Sequence, residues 1–395
     1  WQVDGFRGDD LTIRSSHLFD GRTINALVWQ KAPIPTVWAV RDDGKFLSLT
    51  YLREEKLVGW SRHETDGVVE SMICIPEGAE QAVYAIVKRQ RKHPNTGLMV
   101  DRRYIERLNT RLITNLKDAF FVDSGLTYDG RHADGTVTVR LENGTTWDQF
   151  DAGIRVHSNV ISQFKASDVG NELQIQGTIA EHNTTVMIRA RIVAFIDSQN
   201  VTVSVNKTVP VGMRTVYATQ WAFGRYQIGG LWHLEGRQLS VLGDAGVVAS
   251  PKRANLLTVT GGKVTLPNNE PRGVIHLGLP YFCDVETLDL DRPDIEPRAG
   301  KRKNVTNLKV HVRQTIGGFV GGKPPSNDSV DPKENLEEIQ YTEAEALADV
   351  DPPLVTQVLE EPIRGEWNDN GRVFVRQMDP YPMTVLAIIP DFIEA

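Results

Sequence analysis

The stretch Gly317-Gly318-Phe319-Val320-Gly321-Gly322-Lys323 follows a strand-like run and has the spacing of a loop that cradles phosphate. Such a loop needs a Ser or Thr next, to hold magnesium, and a helix whose N-terminus points at the phosphate. Pro324 and Pro325 stand there instead. Pro324 brings no hydroxyl and a Pro-Pro pair does not open an amphipathic helix here, so a flexible Gly-rich loop is expected rather than a nucleotide site. His63-Glu64 begins like a zinc-protease helix, yet Asp66 and Gly67 follow and no second histidine falls one turn on. The nine histidines lie scattered at 17, 63, 93, 132, 157, 182, 233, 276 and 311, and no close pair suggests a metal site.

Carboxylates are denser. Asp284, Glu286, Asp289, Asp291, Asp294 and Glu296 could supply calcium oxygens or a glycosidase pair, but alternating acids along a strand and its loop usually mark a solvated face. Glu366-x-Asn368-x-Asn370-Gly371 is half a calcium loop, with Gln377 where a bidentate Glu would stand, and reads as a hairpin turn. No G-x-S-x-G elbow and no cysteine in a catalytic signature occurs. Cys74 and Cys283 are far apart and outside any C-x-x-C pair, which excludes a zinc ribbon, a thioredoxin motif and a disulfide scaffold. A reducing compartment at synthesis is expected. Six N-x-S/T sequons carry no weight without a secretion signal.

Two basic clusters remain. Lys88, Arg89, Arg91, Lys92 and His93 follow one strand, and Lys301, Arg302 and Lys303 precede another. Either could meet DNA phosphates or an acidic partner, against the plainer reading of a solvated strand end. Trp60, Arg62, His63 and Asp66 invite a catalytic account with His63 as base. The reading preferred is a buried hydrogen-bonded corner between strands, where polar groups must be satisfied.

The elements that must position these residues are mainly β. In 395 residues with 33 Gly and 20 Pro, short runs rich in Val, Ile, Thr, Tyr and Phe recur between Gly, Asp and Asn punctuation. Asp43-Gly44 joins 36–42 to 45–52 as a tight hairpin. Strands follow at 68–75, 82–89 and 102–108, as one propeller blade or sandwich sheet. Residues 109–135 read as a connector with a short helix in 110–121. The length implies roughly two or three domains: a propeller-like region over 1–135, an inserted small β domain over 136–232, and a platform or propeller-closing region over 233–395. Within the last, 321–353 is a variable, solvated excursion with a short helix around Leu336–Ala348.

No stretch approaches the ~20 apolar residues of a membrane helix. The first residue is Trp rather than Met, so further chain is expected upstream. With 44 basic against 51 acidic residues, a formal net of −7, broad gripping of nucleic-acid phosphate is disfavoured. A passage that DNA slides through without sticking remains open.

From Val37 to Arg107 the sequence resembles the nozzle protein of short-tailed bacteriophages, the tail tubular protein B or tail hub family. The resemblance rests on Leu49-Thr50-Tyr51, Gly59-Trp60-x-Arg62-His63-x-Thr65-Asp66-Gly67, Val69-Glu70-Ser71 and Arg103-Tyr104-Ile105-Glu106. Blocks at 121–130, 231–246, 259–267, 274–288 and 371–390 look like the same family in the same order, over well more than half of the chain. The chain looks like the C-terminal part of a longer member, and 136–230 departs from the family as an insertion of the small β module found in many phage proteins. The resemblance implies a homo-hexameric tube below the portal, through which double-stranded DNA leaves, with a propeller-like part and a platform meeting a tail adaptor and tail fibres. It places the protein in the virion tail, made in the host cytoplasm, with no catalytic, metal or cofactor residues. Two rivals stay open: a tail-associated glycan or peptidoglycan hydrolase, and a host-glycan binding module, which Trp147 or Trp221 exposed on one face would support.

Overall fold

A computed structural model describes residues 10–52, 54, 57–93, 96–179, 184–290, 301–341 and 352–394. It is mainly β: among the described residues the only helices are short 3-10 turns, and the strands form seven sheets with antiparallel pairing. The chain divides into two compact units, 1–114 and 115–395, so the expected boundary at 135/136 lies inside the second. No propeller is seen among the described residues, since the sheets hold 4, 8, 2, 5, 4, 3 and 3 strands rather than repeating a four-stranded blade. No described helix is long and apolar enough to cross a membrane.

In the first unit β1 (Ile24–Gln30), β2 (Thr36–Arg41), β3 (Phe46–Leu52) and β4 (Leu57–His63) form one sheet in that order. A second sheet holds β5 (Val68–Glu77), β6 (Glu80–Lys92) and β7 (Met99–Arg107). Asp43-Gly44 makes the expected turn: Gly44 has φ 78°, which a side chain resists, and a Cβ there would lie 2.5 Å from Val68 Cγ1. Arg41 Nη2 bonds the Asp43 carboxylate at 2.5 Å, closing the loop and pinning Val40 opposite Phe46. Period-2 alternation then sends Trp38 and Val40 from the first sheet, and Met72, Val83, Ala85 and Val87 from the second, into one shared core. Residues 36–108 are therefore not one blade but parts of two facing sheets, because β4, read from sequence as a corner, is a strand paired along β3.

In the second unit an eight-stranded sheet runs in the order Tyr217–Ala218, Val139–Glu142, Arg155–Ser158, Asn200–Val205, Thr184–Phe195, Glu172–Ile179, Trp221–Gly224, Arg131–His132. Ala218 at one edge and Trp221 beside the other are three peptide links apart, a reach of at most about 11 Å, so the sheet must curl towards closure. The Trp221 indole closes that gap further by donating to Val137 O at 2.9 Å. Val139, Leu141, Ile154, Val156, Leu173, Ile188 and Trp147 fill the interior of this half-barrel. Trp147 and Trp221 are thus core residues, 9% and 3% exposed, and offer no flat aromatic face to a glycan.

Four smaller sheets complete the unit. Gln238–Gly243 and Val274–Leu279 pair at the centre of a five-stranded sheet, Phe374–Gln377 lies between Cys283–Glu286 and Phe319–Gly321, and Lys303–Thr315 lies between Val355–Pro362 and Val385–Glu394. Two sequence expectations change here. The Gly-rich stretch is not a flexible loop throughout, for Phe319–Gly321 is a buried strand entered through Gly317 and Gly318 at φ 72° and 111°. The helix expected around Leu336–Ala348 starts instead with a strand, Leu336–Glu338, and its remainder from residue 342 lies outside the described residues. The connector helix shrinks to one 3-10 turn, Leu116–Asp118.

Candidate functional site

The first basic cluster lies on β6, whose alternation splits it between two faces. Lys88 and Lys92 share the outer face, while Arg89 and Arg91 point inward and are buried. Arg89 is bidentate to Glu106, with Nε and Nη2 each 2.6 Å from a carboxylate oxygen, and its Nη1 reaches Asp66 O at 2.8 Å. Arg91 Nη1 bonds Asp66 Oδ2 at 3.0 Å. The expectation that Arg89 and Arg91 face DNA or a partner is corrected: their charge is spent inside the sandwich, because a buried guanidinium must be paired.

The four corner residues do not form one network either. Alternation along β4 puts Trp60 and Arg62 on the face opposite His63. Trp60 packs edge-on against Phe19 and donates to Leu11 O, Arg62 pairs with Glu64, and Asp66 serves Arg91. His63 stacks on Phe46 at 5.0 Å and 18°, with Nε2 2.7 Å from Ser48 Oγ. Burial, aided by the repelling guanidinium of Arg111, lowers its pKa from 6.5 to about 4. A depressed basic group favours its neutral form in the folded state, so its contribution to stability is present above pH 6.5 and is lost as pH falls through about 4. An NMR titration of the His63 ring is expected to show a midpoint near 4, with no inflection at ordinary histidine values; an inflection near 6.5 contradicts the stacked, desolvated ring.

In the second unit the described acids of the expected metal or glycosidase stretch are engaged in ion pairs. Asp284 is bidentate to Arg376 at 2.8 and 2.7 Å, while Glu286 and Asp289 share Arg372. Asp291, Asp294 and Glu296 lie outside the described residues. Among the described residues no group of three or more His, Cys, Asp and Glu side chains is placed to hold a metal ion. Lys303 is buried, its ammonium donating to Asp369 O at 2.9 Å, and so does not face DNA, while Arg302 is exposed and Lys301 half-buried. Asn368 Oδ1 caps a local turn by accepting from Asn370 N at 3.1 Å, but the flanking strands Val355–Pro362 and Phe374–Gln377 lie in different sheets, so the turn expected there does not join a hairpin.

Sequence reading passed over a polar cleft of about 120 Å³ between the half-barrel and the five-stranded sheet, lined by Lys117, His132, Gln174, Gln176, Gln220 and Asp244 among others. Asp244 is saturated, accepting from Gln174 Nε2 at 2.6 Å and from Gly273 N and Val274 N. His132 stacks on Trp221 at 4.2 Å, and burial lowers its pKa, which favours the neutral ring. These groups can hold a hydrogen-bonding ligand, but Asp244 has no free oxygen geometry for proton transfer. The one signal available was the alternation Glu172-Leu173-Gln174-Ile175-Gln176, which aims three polar side chains away from the barrel core.

Glu172, next in that row, is buried beside Asp244 with Arg189 Nε 4.0 Å away. Burial raises its pKa from 4.5 to about 7, Asp244 adding to the effect and Arg189 opposing it. The raised value means that its stabilising, protonated form is fully present below pH 4.5 and lost as pH climbs through 7. Glu172→Gln is therefore expected to flatten that part of the pH profile and to stabilise the protein at pH 8 by up to about 3 kcal/mol. Urea unfolding at pH 5 and pH 8 checks this; equal effects at both would refute it.

No protein-family model matches the chain, and no curated protein matches it with significance.

Proposed function

We propose that the chain is a structural subunit of the tail nozzle of a short-tailed bacteriophage, forming a homo-hexameric tube for genome ejection and docking a tail adaptor and tail fibres. The observation that carries this reading is the ordered run of family-like blocks from Leu49-Thr50-Tyr51 to the 371–390 segment. The structure supports it through what the polar residues do. His63 and Asp284, which a catalytic reading would recruit, join strand to strand through Ser48 and Arg376, as Arg89 does through Glu106. An all-β subunit can close a ring by head-to-tail contacts, and a net charge of −7 suits a wall from which DNA is repelled.

In this reading the two facing sheets of the first unit are the sandwich module and the curled sheet over 131–224 is the inserted β domain. A propeller would need strands beyond those described. Of the two basic clusters, Lys92 and Arg302 are exposed and Lys88 and Lys301 half-buried, and this reading keeps these four as the ones to meet DNA or a partner. Quantitative mass spectrometry of purified virions tests the assignment: the nozzle reading expects half as many copies as the portal protein. Absence from the particle, or a count well below that, would move the assignment to a hydrolase or an accessory glycan-binding protein.

A further inference from the structure

The free edge of the second sheet in the first unit carries a self-complementary code. Leu108 N donates to Val83 O and His93 N to Leu98 O, so the even-numbered residues of β7 direct their backbone groups to β6. Those of Met99, Asp101, Arg103, Ile105 and Arg107 consequently point away from the sheet. Among the described residues no strand pairs with that edge, and it contains no proline and no bulge, two of the devices that normally block edge pairing.

We propose that β7 pairs antiparallel with β7 of a second copy of this chain, about a two-fold axis through Tyr104. In that register Asp101 meets Arg107 of the second copy, which also holds Glu77 and Glu80 of its own chain, and Arg102 meets Glu106 of the second copy, whose carboxylate also accepts from Arg89, each twice by symmetry. Neighbouring registers are worse. A dyad at Arg103 sets that residue against its own copy, a dyad at Arg102 does the same, and a dyad at Ile105 sets Arg103 against Arg107 of the second copy. Like charges directly opposite destabilise a pair, whereas opposite ones add to it.

The apolar surface agrees. On the outer face Ile105 lies opposite Ile86, and Ile73, opposite Tyr84, lies diagonal to Ile86, so the three make a stepped row across β7, β6 and β5 and are 79, 38 and 57% exposed. The Tyr104 dyad brings Ile105 diagonal to Ile105 of the second copy and joins the two rows into one stripe across six strands. The pairing does not rest on the nozzle reading, since a ring is built from head-to-tail contacts whereas this dyad closes at two copies. A single added strand lies at the small end of specific interfaces, so micromolar association is expected.

Disulfide trapping in the full chain, in a Cys283→Ser background, tests the register. Residues on a dyad at a non-hydrogen-bonded position have Cα atoms about 4.5 Å apart, within disulfide range. Tyr104→Cys should cross-link to a covalent dimer under mild oxidation, whereas Arg102→Cys, about 14 Å from its counterpart in this register, should not. Ile105→Pro removes an N–H that β6 does not use, so it should keep the fold by circular dichroism yet weaken self-association at least about tenfold in sedimentation. Equal trapping at 102 and 104, no trapping at 104, or association untouched by Ile105→Pro would each overturn the pairing.

Discussion

Arg376→Ala is expected to destabilise the protein by about 3–5 kcal/mol, the cost of emptying a buried charged site and abandoning its partners. The guanidinium is 3% exposed and links three separate parts of the chain. Nε and Nη2 hold Asp284 on the neighbouring strand, while Nη1 holds Asp328 and, at 2.9 Å, Pro332 O. It also lies over the rings of Phe282 and Phe374, at 4.4 and 5.4 Å from their centroids. Packing and charge are therefore lost together, and a lysine replaces neither the fork nor the stacking. Asp328→Asn should cost under about 1 kcal/mol, because that carboxylate is nearly half exposed. Hydrogen exchange separates this account from a general loss of stability. Amides between 326 and 336 should lose protection in Arg376→Ala before those of Val274–Leu279 do. Uniform loss would show that Arg376 does not specifically tether the 327–335 turn.

That turn marks the limit of what the sequence alone conveys. Residues 321–353 read as a solvated excursion because their composition is polar and Pro-bounded, yet the described part is tied down by an arginine 44 to 48 residues away. No local pattern encodes such a contact. Short-range signals were legible where their physics is local: the Asp43-Gly44 turn, the alternation of β2, β3, β5 and β6, and the Asn368 turn follow from backbone sterics and period 2. Alternation also holds what the corner reading overlooked, since residues 60, 62 and 63 in one strand cannot share a face. The curl of the eight-stranded sheet depends on Ala218 and Trp221 sitting near opposite edges, a fact of strand order that spacing does not reveal. In the sequence Glu172 alternates with Leu173 like any outward-facing acid of a half-buried strand. Only the placement of Asp244 and the five-stranded sheet over that face makes it a buried carboxyl.

Arg89→Ala is expected to cost about 3–5 kcal/mol as well, while Lys88→Ala one position earlier should change stability by no more than about 0.5 kcal/mol. The contrast isolates a question that composition cannot answer, namely which charges of KRQRK are for partners and which are for the fold. Arg89's side chain has no exposed surface and bonds both oxygens of Glu106, itself only a quarter exposed, so deleting the arginine leaves a carboxylate that water reaches poorly. It also removes the bond to Asp66 O in the β4–β5 connection, on the same residue whose carboxylate holds Arg91. Single replacement of Glu106 should be comparably harmful, since it strands a buried guanidinium. Replacing both, as Arg89→Met with Glu106→Leu, should recover most of the loss, because a buried ion pair contributes little beyond an apolar pair of similar volume. Urea unfolding of the full chain followed by circular dichroism measures all three variants. Failure of the double variant to recover would mean that the Asp66 carbonyl bond, rather than the ion pair, is what Arg89 supplies. Recovery would show that this part of the basic cluster serves the sandwich, leaving Lys88 and Lys92 as the β6 charges to test against DNA.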